Sequence, residues 1–386
     1  MKILHIGKYY APYAGGMESV VKSLCEGQLE SGHQVDVLCF NNNSKSTYEL
    51  YNGVGVHRMG ILGVIAGQPI ALGMFIKLKS MASDYDLIHV HSPNPIAELL
   101  CLTIPKSIPI VSTHHSDIIR QKFLTKFYYP LYEKFLMRVG KVHVPTQNHI
   151  DYSPCLSKFS SKCEIIPFGI KVDHLHKNDI SQEIESLKNK YNKYALFVGR
   201  LVGYKGLDVL IKAAKENKYP VLIVGDGPLR EKLEKMVHEY DVQDTVHILG
   251  KVLDDKKFRA LYHACEFLVL PSVTANENFG MTQLEAMSCS KPVITTNLES
   301  GVPAVGVRGK TTLITEPGNV TQLAGAMTML MENPELQESM GKAAYKHFIN
   351  KYQWETMIHS TNESYERISC FSDIISKYSD KSKKAA

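Results

Sequence analysis

At 386 residues and 43.3 kDa the chain exceeds one ordinary hydrophobic core and suits two domains of roughly 150 to 200 residues each. Apolar residues at 44% and charged residues at 22% exclude a disordered chain, and a formal charge of +5 with pI near 8.6 is too slight to imply nucleic acid. The eight cysteines are scattered without a CxxC pair, so neither a zinc site nor a disulfide framework is supported, and a reducing cytosol fits.

The opening MKILHIGKYY holds only a short apolar run, broken by Gly7 and Lys8, and reads as a first strand rather than a secretory leader. Gly15 and Gly16 then precede a helical pattern, MESVVKSLCEGQLESG, closed by Gly32 in the manner of a C-cap. Glycines at a helix start let the backbone approach a phosphate, and they serve a plain turn into the helix equally well. No GxGxxG occurs there, which argues against a nicotinamide-dinucleotide domain. After QVDVLCF, the apolar stretch GILGVIAGQPIALGMFIKLK is interrupted by Gln68 and Pro69, so the expectation is loop plus helix with no transmembrane span.

LIHVH, PIVSTHH, KVHVPT and CEIIPFG continue the series of short, β-rich apolar runs. Parallel strands covered by helices on both faces have this composition, so the first half is a βα-alternating domain. Between two of these runs, RQKFLTKFYYPLYEKFLMRVGK interleaves Arg120, Lys122, Lys126, Lys134, Arg138 and Lys141 with Phe123, Phe127, Tyr128, Tyr129, Tyr132 and Phe135, against Glu133 as its sole acid. An amphipathic helix broken at Pro130 suits an anionic membrane surface; the same pattern suits a helix whose aromatics face its own domain.

A polar stretch over 166–194 follows, and the pattern restarts with YALFVGR, PVLIVGDG, TVHILGKV, EFLVLPS, PVITTN and TTLITEPG. The expected architecture is α/β: two doubly wound, Rossmann-like units, residues 1–175 and 190–352, facing a central cleft, with a helix near 353–375 returning to the first. In such sheets ligands sit beyond the carboxyl ends of the strands. That rule selects Arg200 and Lys205 in RLVGYKG, two cations suited to a diphosphate and equally to a solvated surface. VGDGP lacks a third glycine and carries little weight. ENFGMTQLEAM places Glu277 in a loop and Glu285 in a helix beginning near Phe279 or Gly280. Eight helical steps would set the two carboxylates about 80° apart, so they need not act as a pair. The first amides of that helix, at Phe279 to Met281, lack intrahelical partners and are suited to a phosphate, while an acid can take hydrogen bonds from sugar hydroxyls. A plain acid at a helix start is the competing reading.

Taken together, these segments resemble the retaining glycosyltransferases of the GT-B fold, family 4, over Met1 to about Tyr365. Glu277 and Glu285 match the family's Glu-x7-Glu motif, and Arg200 and Lys205 its basic pair; VGDGP, VHILGKV, IPFGI and EPGNVTQLA support the match. The resemblance implies roles residue by residue. Glu277 would contact the donor sugar beside the amides of Phe279, Gly280 and Met281, and Glu285 would hold the ribose diol. Arg200 and Lys205 would bind the diphosphate with Gly15 and Gly16, and the backbone at Lys251 and Val252 would meet the base. His115 would be the active-site histidine, with His114 beside it as the alternative. ESGVPAV departs from the family's paired glycines, which bears on how Ser300 and Gly301 line the sugar site.

The implied reaction is metal-independent transfer of a hexose, mannose from GDP-mannose, to a polyprenyl-diphosphate-linked saccharide in bacterial surface-polysaccharide (O-antigen or capsule) synthesis. The enzyme would be cytoplasmic and peripheral at the inner face of the cytoplasmic membrane, touching it through Arg120, Lys122, Lys126, Lys134 and Arg138. No cofactor is expected. The DxD of Asp84 and Asp86 precedes a strand, at the wrong end of the sheet for a donor-bound metal. Retention would follow from same-face attack, the leaving phosphate taking the acceptor's proton. The rival readings are a nucleotide-sugar epimerase on the same fold and a nucleotide-sugar-binding protein without turnover.

Overall fold

The computed structural model describes residues 1–13, 15–65, 67–118, 122–172, 175 and 177–368. The chain divides into two compact units. One is Met1–Phe168 together with the chain from Trp354 onward, and the other is Gly169–Gln353.

The first unit is built on an eight-stranded sheet. In spatial order the strands are Cys163–Ile165, Lys141–Val144, Ile110–His114, Leu87–Ser92, Lys2–Ile6, Gln34–Phe40, Val54–Met59 and Thr47–Tyr51. Every pairing is parallel except the last, between Thr47–Tyr51 and Val54–Met59. Such strands bury both faces, which is why Leu87–Ser92 and Ile110–His114 are buried at every position. The chain leaves Lys2–Ile6 in one direction and returns on its other side at Leu87–Ser92, so the order reverses between these two strands. Loops leaving their carboxyl ends diverge there. A helix over 354–368 covers one face, with Tyr365 buried against Ile3, Leu87 and Val111.

The second unit carries a six-stranded, all-parallel sheet in the order Val246–Gly250, Val221–Val224, Ala195–Val198, Phe267–Val269, Val293–Thr296, Thr312–Thr315. Its reversal lies between Ala195–Val198 and Phe267–Val269. Amphipathic helices Leu207–Asn217, Arg230–Glu239 and Val320–Glu332 turn Leu210, Leu233 and Met327 into one core with Phe197 and Ile223.

Two expectations from the sequence are corrected. GILGVIAGQPIALGMFIKLK is not loop plus helix: Gly63–Ile65 and Gln68–Ile70 form an antiparallel hairpin before the helix Leu72–Met81. Among the described residues no helix is long and apolar enough to cross a membrane. The basic, aromatic segment is not broken at Pro130, because a helix runs unbroken over Lys122–Arg138 with the proline inside it. Pro130 lacks the N–H that would reach back one turn, a cost in any helix interior. Burial of Tyr132, Phe135 and Leu136 in the core of the unit offsets that cost.

Phe135 is fully buried and Phe127, on the same helix, is 70% exposed. Phe135→Ala is therefore expected to cost about 3–5 kcal/mol in denaturant unfolding and Phe127→Ala no more than about 0.5 kcal/mol.

Candidate functional site

The reversal in the second sheet sets two loops side by side. One follows Ala195–Val198 and contains Arg200, then a single 3₁₀ turn, Gly203–Lys205. The other follows Phe267–Val269 and carries Ser272 and Glu277. The Val273 amide donates to the Tyr204 carbonyl at 2.8 Å and ties them together. Lys205 turns inward to 8% exposure and its ammonium pairs with Oε2 of Glu277, itself 8% exposed. Ser272 Oγ donates to the same oxygen at 3.2 Å. Arg200 stays exposed, and its guanidinium has no partner among the described residues.

Glu277 sits before the helix Met281–Ser288, whose N-cap is Gly280 at φ +76°. A side chain there would be strained, and its Cβ would also press on Leu270 and Gln283, so the turn that aims the first amides of the helix requires glycine. The ring of Phe279 is buried edge-on to Tyr352, 6.2 Å between centroids. Glu285 projects from the helix and accepts from the hydroxyl of Tyr262. Burial pushes its carboxyl up, against the Tyr262 hydrogen bond and the charge of Lys205. One cation thus acts on both acids of the motif, directly on Glu277 and through its field on Glu285.

Lys251 and Val252 follow Val246–Gly250 at the sheet edge, Lys251 exposed and Val252 half-buried. VGDGP, which carried little weight in the sequence, has a packing reason. A Cβ on Gly225 would strike the carbonyl of Gly199, and one on Gly227 the backbone of Leu201. Leu201 also donates to the Asp226 carbonyl at 3.0 Å, so these glycines let the Arg200 loop lie against its neighbour.

In the first unit, Gly15 caps and Gly16 opens the helix Gly16–Glu30. A Cβ on Gly15 would meet the carboxylate of Glu18, which occupies the start of the helix. Burial raises the Glu18 carboxyl, opposed by its own backbone N–H and the charge of Lys8. His115 follows the strand Ile110–His114, and burial first, then His114 and His149, push it down to about 3. Its Nε2 lies 2.9 Å from Nδ1 of His91, and its ring stacks on Phe168. His114 faces the opposite way, Nδ1 at 2.8 Å from the Tyr132 hydroxyl and Nε2 at 3.8 Å from Asp117. The two adjacent histidines therefore belong to different networks.

Arg120 and the side chain of Lys122 lie outside the described residues, and Lys126 and Lys134 are exposed. Arg138 is a correction: it donates to the carbonyls of Pro105 and Ile108, both at 2.9 Å, and burial lowers its pKa, so it ties its helix to a neighbouring loop. Tyr128 likewise turns inward, donating at 3.1 Å to Glu98, a buried acid pushed up to about 6.

Sequence reasoning missed Ser272 and Tyr262, which hold the two acids and carry no motif. It also missed His5, His89 and His91, which bring one ring nitrogen each within 4.8 Å of one another. Their signal was present, since LIHVH places two histidines at period two on one face of a buried strand. Such a triad has metal-ligand chemistry, but all six ring nitrogens already have hydrogen-bond partners that a cation would displace. Asp84 and Asp86 lie at the amino end of Leu87–Ser92, where Asp86 accepts from the Lys2 amide at 2.7 Å.

Residues 14–174 match Glycosyltransferase Family 4 and residues 179–347 match Glycosyl transferases group 1. The chain is 32% identical to the D-rhamnosyltransferase WbpZ of Pseudomonas aeruginosa, over 89% of this chain and 90% of that one. It is 30% identical to the O-antigen chain mannosyltransferase C of Escherichia coli, over 93% and 96%. In fold it is similar to Alr3699/HepE of Anabaena, solved in complex with UDP, with a TM-score of 0.77 at 19% identity over 95% of this chain and 100% of that one.

His5, His89, His91, His115, His143 and His149 all have lowered pKa values, His5 to about 4 and His115, His143 and His149 to about 3, with burial the leading cause in each. The unfolded chain therefore binds more protons once the pH drops below about 6.5. Stability present above that pH is expected to be lost as pH falls toward 4, with a slope of up to about 1.4 kcal/mol per pH unit for each histidine. Denaturant unfolding at a series of pH values checks this, and a flat profile between pH about 6.5 and 4 contradicts it.

Proposed function

Because this chain belongs to the GT-B glycosyltransferases that join a family 4 domain to a group 1 domain, we propose that it transfers mannose from GDP-mannose to a lipid-linked saccharide in surface-polysaccharide assembly, retaining anomeric configuration and needing no metal. The observation that carries the reading is Lys205 held against Glu277 at the reversal of the second sheet, with Arg200 open on the same loop. Cleaving a sugar-to-diphosphate bond leaves positive charge on the sugar and negative charge on the departing phosphate. Lys205, Arg200 and the first amides of Met281–Ser288 receive that negative charge, the helix amides being fixed by the backbone. Glu277 takes hydrogen bonds from sugar hydroxyls, Glu285 from the ribose diol, and the backbone at Lys251 and Val252 meets the base. Gly15 and Gly16 approach the diphosphate, and His115 offers the sugar a neutral imidazole. The acceptor hydroxyl attacks C1 on the face from which phosphate leaves, and its proton passes to the departing phosphate oxygen. The relatives' names support a manno-configured sugar, since D-rhamnose is 6-deoxymannose.

Lys205→Ala and Glu277→Gln are each expected to lower turnover of GDP-mannose by about 100-fold or more. GDP, rather than UDP or ADP, should raise the melting temperature of the unaltered protein. Full turnover in either variant sinks the reading, an inverted product anomer sinks the retaining step, and an isomerised donor identifies an epimerase instead.

Contact with an anionic membrane is supported by a different surface from the one the sequence suggested. Leu62, Val64 and Ile65 on the hairpin are exposed, as are Leu72, Phe75 and Ile76 at positions i, i+3 and i+4 of the following helix. Met74, Leu78 and Met81 fill the opposite face of that helix, so it is apolar on both sides. Residues 60–81 hold Lys77 and Lys79 and no acid, and the Lys79 ammonium lies 5.9 Å over the Phe75 ring. The pair Phe75→Ser and Ile76→Ser is expected to lower co-sedimentation with phosphatidylglycerol vesicles by about tenfold, more than Lys126→Ser with Lys134→Ser does. Unchanged binding in the first pair contradicts this placement.

A further inference from the structure

A continuous chain of hydrogen bonds crosses the interior of the first unit. It runs from Thr113 Oγ1 to His89 Nε2 at 2.7 Å, from His89 Nδ1 to the Tyr365 hydroxyl, and from there to Gln28 Nε2 at 3.1 Å. Beyond the amide it continues from Gln28 Oε1 to His5 Nε2 at 2.7 Å, from His5 Nδ1 to His91 Nε2 at 3.0 Å, and from His91 Nδ1 to His115 Nε2 at 2.9 Å. The members come from three adjacent strands and from the helices Gly16–Glu30 and 354–368. His5, Gln28, His89, His91 and Tyr365 are wholly buried, and His115, at 6% exposure, is the end nearest solvent.

Burial holds these imidazoles neutral, and a neutral imidazole has one N–H and one lone pair. Their arrangement then follows from one group. The Gln28 carbonyl oxygen has no proton to give, so His5 donates from Nε2 and keeps its lone pair on Nδ1. His91 must donate to that lone pair from Nε2, and His115 must in turn donate from Nε2 to Nδ1 of His91. On the other arm the Gln28 NH2 donates to the Tyr365 oxygen, the Tyr365 hydroxyl donates to His89 Nδ1, and His89 donates from Nε2 to Thr113. Turning the amide over would reverse every proton in both arms. A single half-rotation separates two proton orders, and they differ at the exposed end in whether His115 Nδ1 carries hydrogen.

We propose that Gln28 is a positioning residue for His115: acting through His5 and His91, its amide oxygen fixes His115 as the Nε2–H tautomer and leaves Nδ1 as a bare hydrogen-bond acceptor for a sugar hydroxyl. The inference rests on the role proposed above for His115, and it adds what sets that residue's polarity. Nδ1 of His115 has no hydrogen-bond partner among the described residues. The arrangement also accounts for histidines where parallel strands ordinarily carry aliphatic side chains. A buried polar network costs more than an apolar core unless every member is satisfied, and here the ordering of protons satisfies both nitrogens of His5, His89 and His91.

The test uses the full chain labelled with 15N-histidine, whose two-bond 1H–15N correlations near neutral pH report the tautomer of each ring, His115 being assigned by His115→Asn. Wild type should show His115 protonated on Nε2. Gln28→Glu offers an acceptor oxygen to His5 and should keep that tautomer. Gln28→Leu breaks the chain and should give mixed His115 tautomers, with kcat reduced about tenfold and donor KM unchanged, as expected for one transition-state hydrogen bond. Hydrogen on Nδ1 in wild type overturns the proposal, and this measurement stands even if Gln28→Leu does not fold. An unaltered His115 tautomer in folded Gln28→Leu overturns it as well. Altered tautomers with undiminished turnover overturn the functional half, by removing His115 from the reaction while Lys205 and Glu277 keep their own separate test.

Discussion

A parallel sheet has all its carboxyl ends on one edge, and a chain that builds such a sheet outward from one strand in both directions must part its loops at the reversal. Both units obey this constraint, and it decides which residues can meet. In the second unit it brings the Arg200 and Lys205 loop against the Glu277 loop, although the two are separated by the two strands and three helices between residues 206 and 266. In the first it sets the loop that follows Lys2–Ile6 beside the one that follows Leu87–Ser92. The chemistry is grafted onto an edge that backbone geometry had already chosen.

Within that frame, charge is handled differently in the two units. The second unit keeps an ammonium and two carboxyls in a shared, largely dehydrated setting, where pairing offsets the cost of burial and leaves Arg200 exposed. That suits a ligand bringing its own negative charge, which can compete with Glu277 for Lys205. In the first unit the central strands carry their polar groups uncharged. Its strands carry histidines, but burial keeps them neutral and each one is bonded to a neighbour, so they behave as oriented dipoles rather than cations. Direction then becomes the property that matters, and it is set where one side chain, Gln28, cannot reverse the roles of its two ends without turning over.

The surface tells a related story about hydrophobicity. The aromatic and basic segment 120–141 has the composition of a membrane-facing helix, yet Tyr132 and Phe135 lie in the core, Tyr128 serves Glu98, and Arg138 serves two carbonyls. The apolar stretch 60–79, which could be spent on a core, is instead folded so that Leu62, Val64, Ile65, Leu72 and Ile76 remain exposed.

The sequence by itself determined the class of fold and most of the residues at the strand ends. Short β-rich runs alternating with helical periodicity allow little besides doubly wound sheets, and Arg200, Lys205, Glu277 and Glu285 stand at fixed offsets from those runs, which makes them legible without coordinates. Tertiary structure alone decided who partners whom. Tyr262 holds Glu285, Lys205 holds Glu277, Gly225 and Gly227 serve a neighbouring backbone, and His114 and His115 point into separate networks, because each of these facts depends on segments apart in the chain. Local spacing fixes periodicity and therefore element type; burial, pairing and tautomer depend on what lies across the sheet, and only the folded chain supplies that.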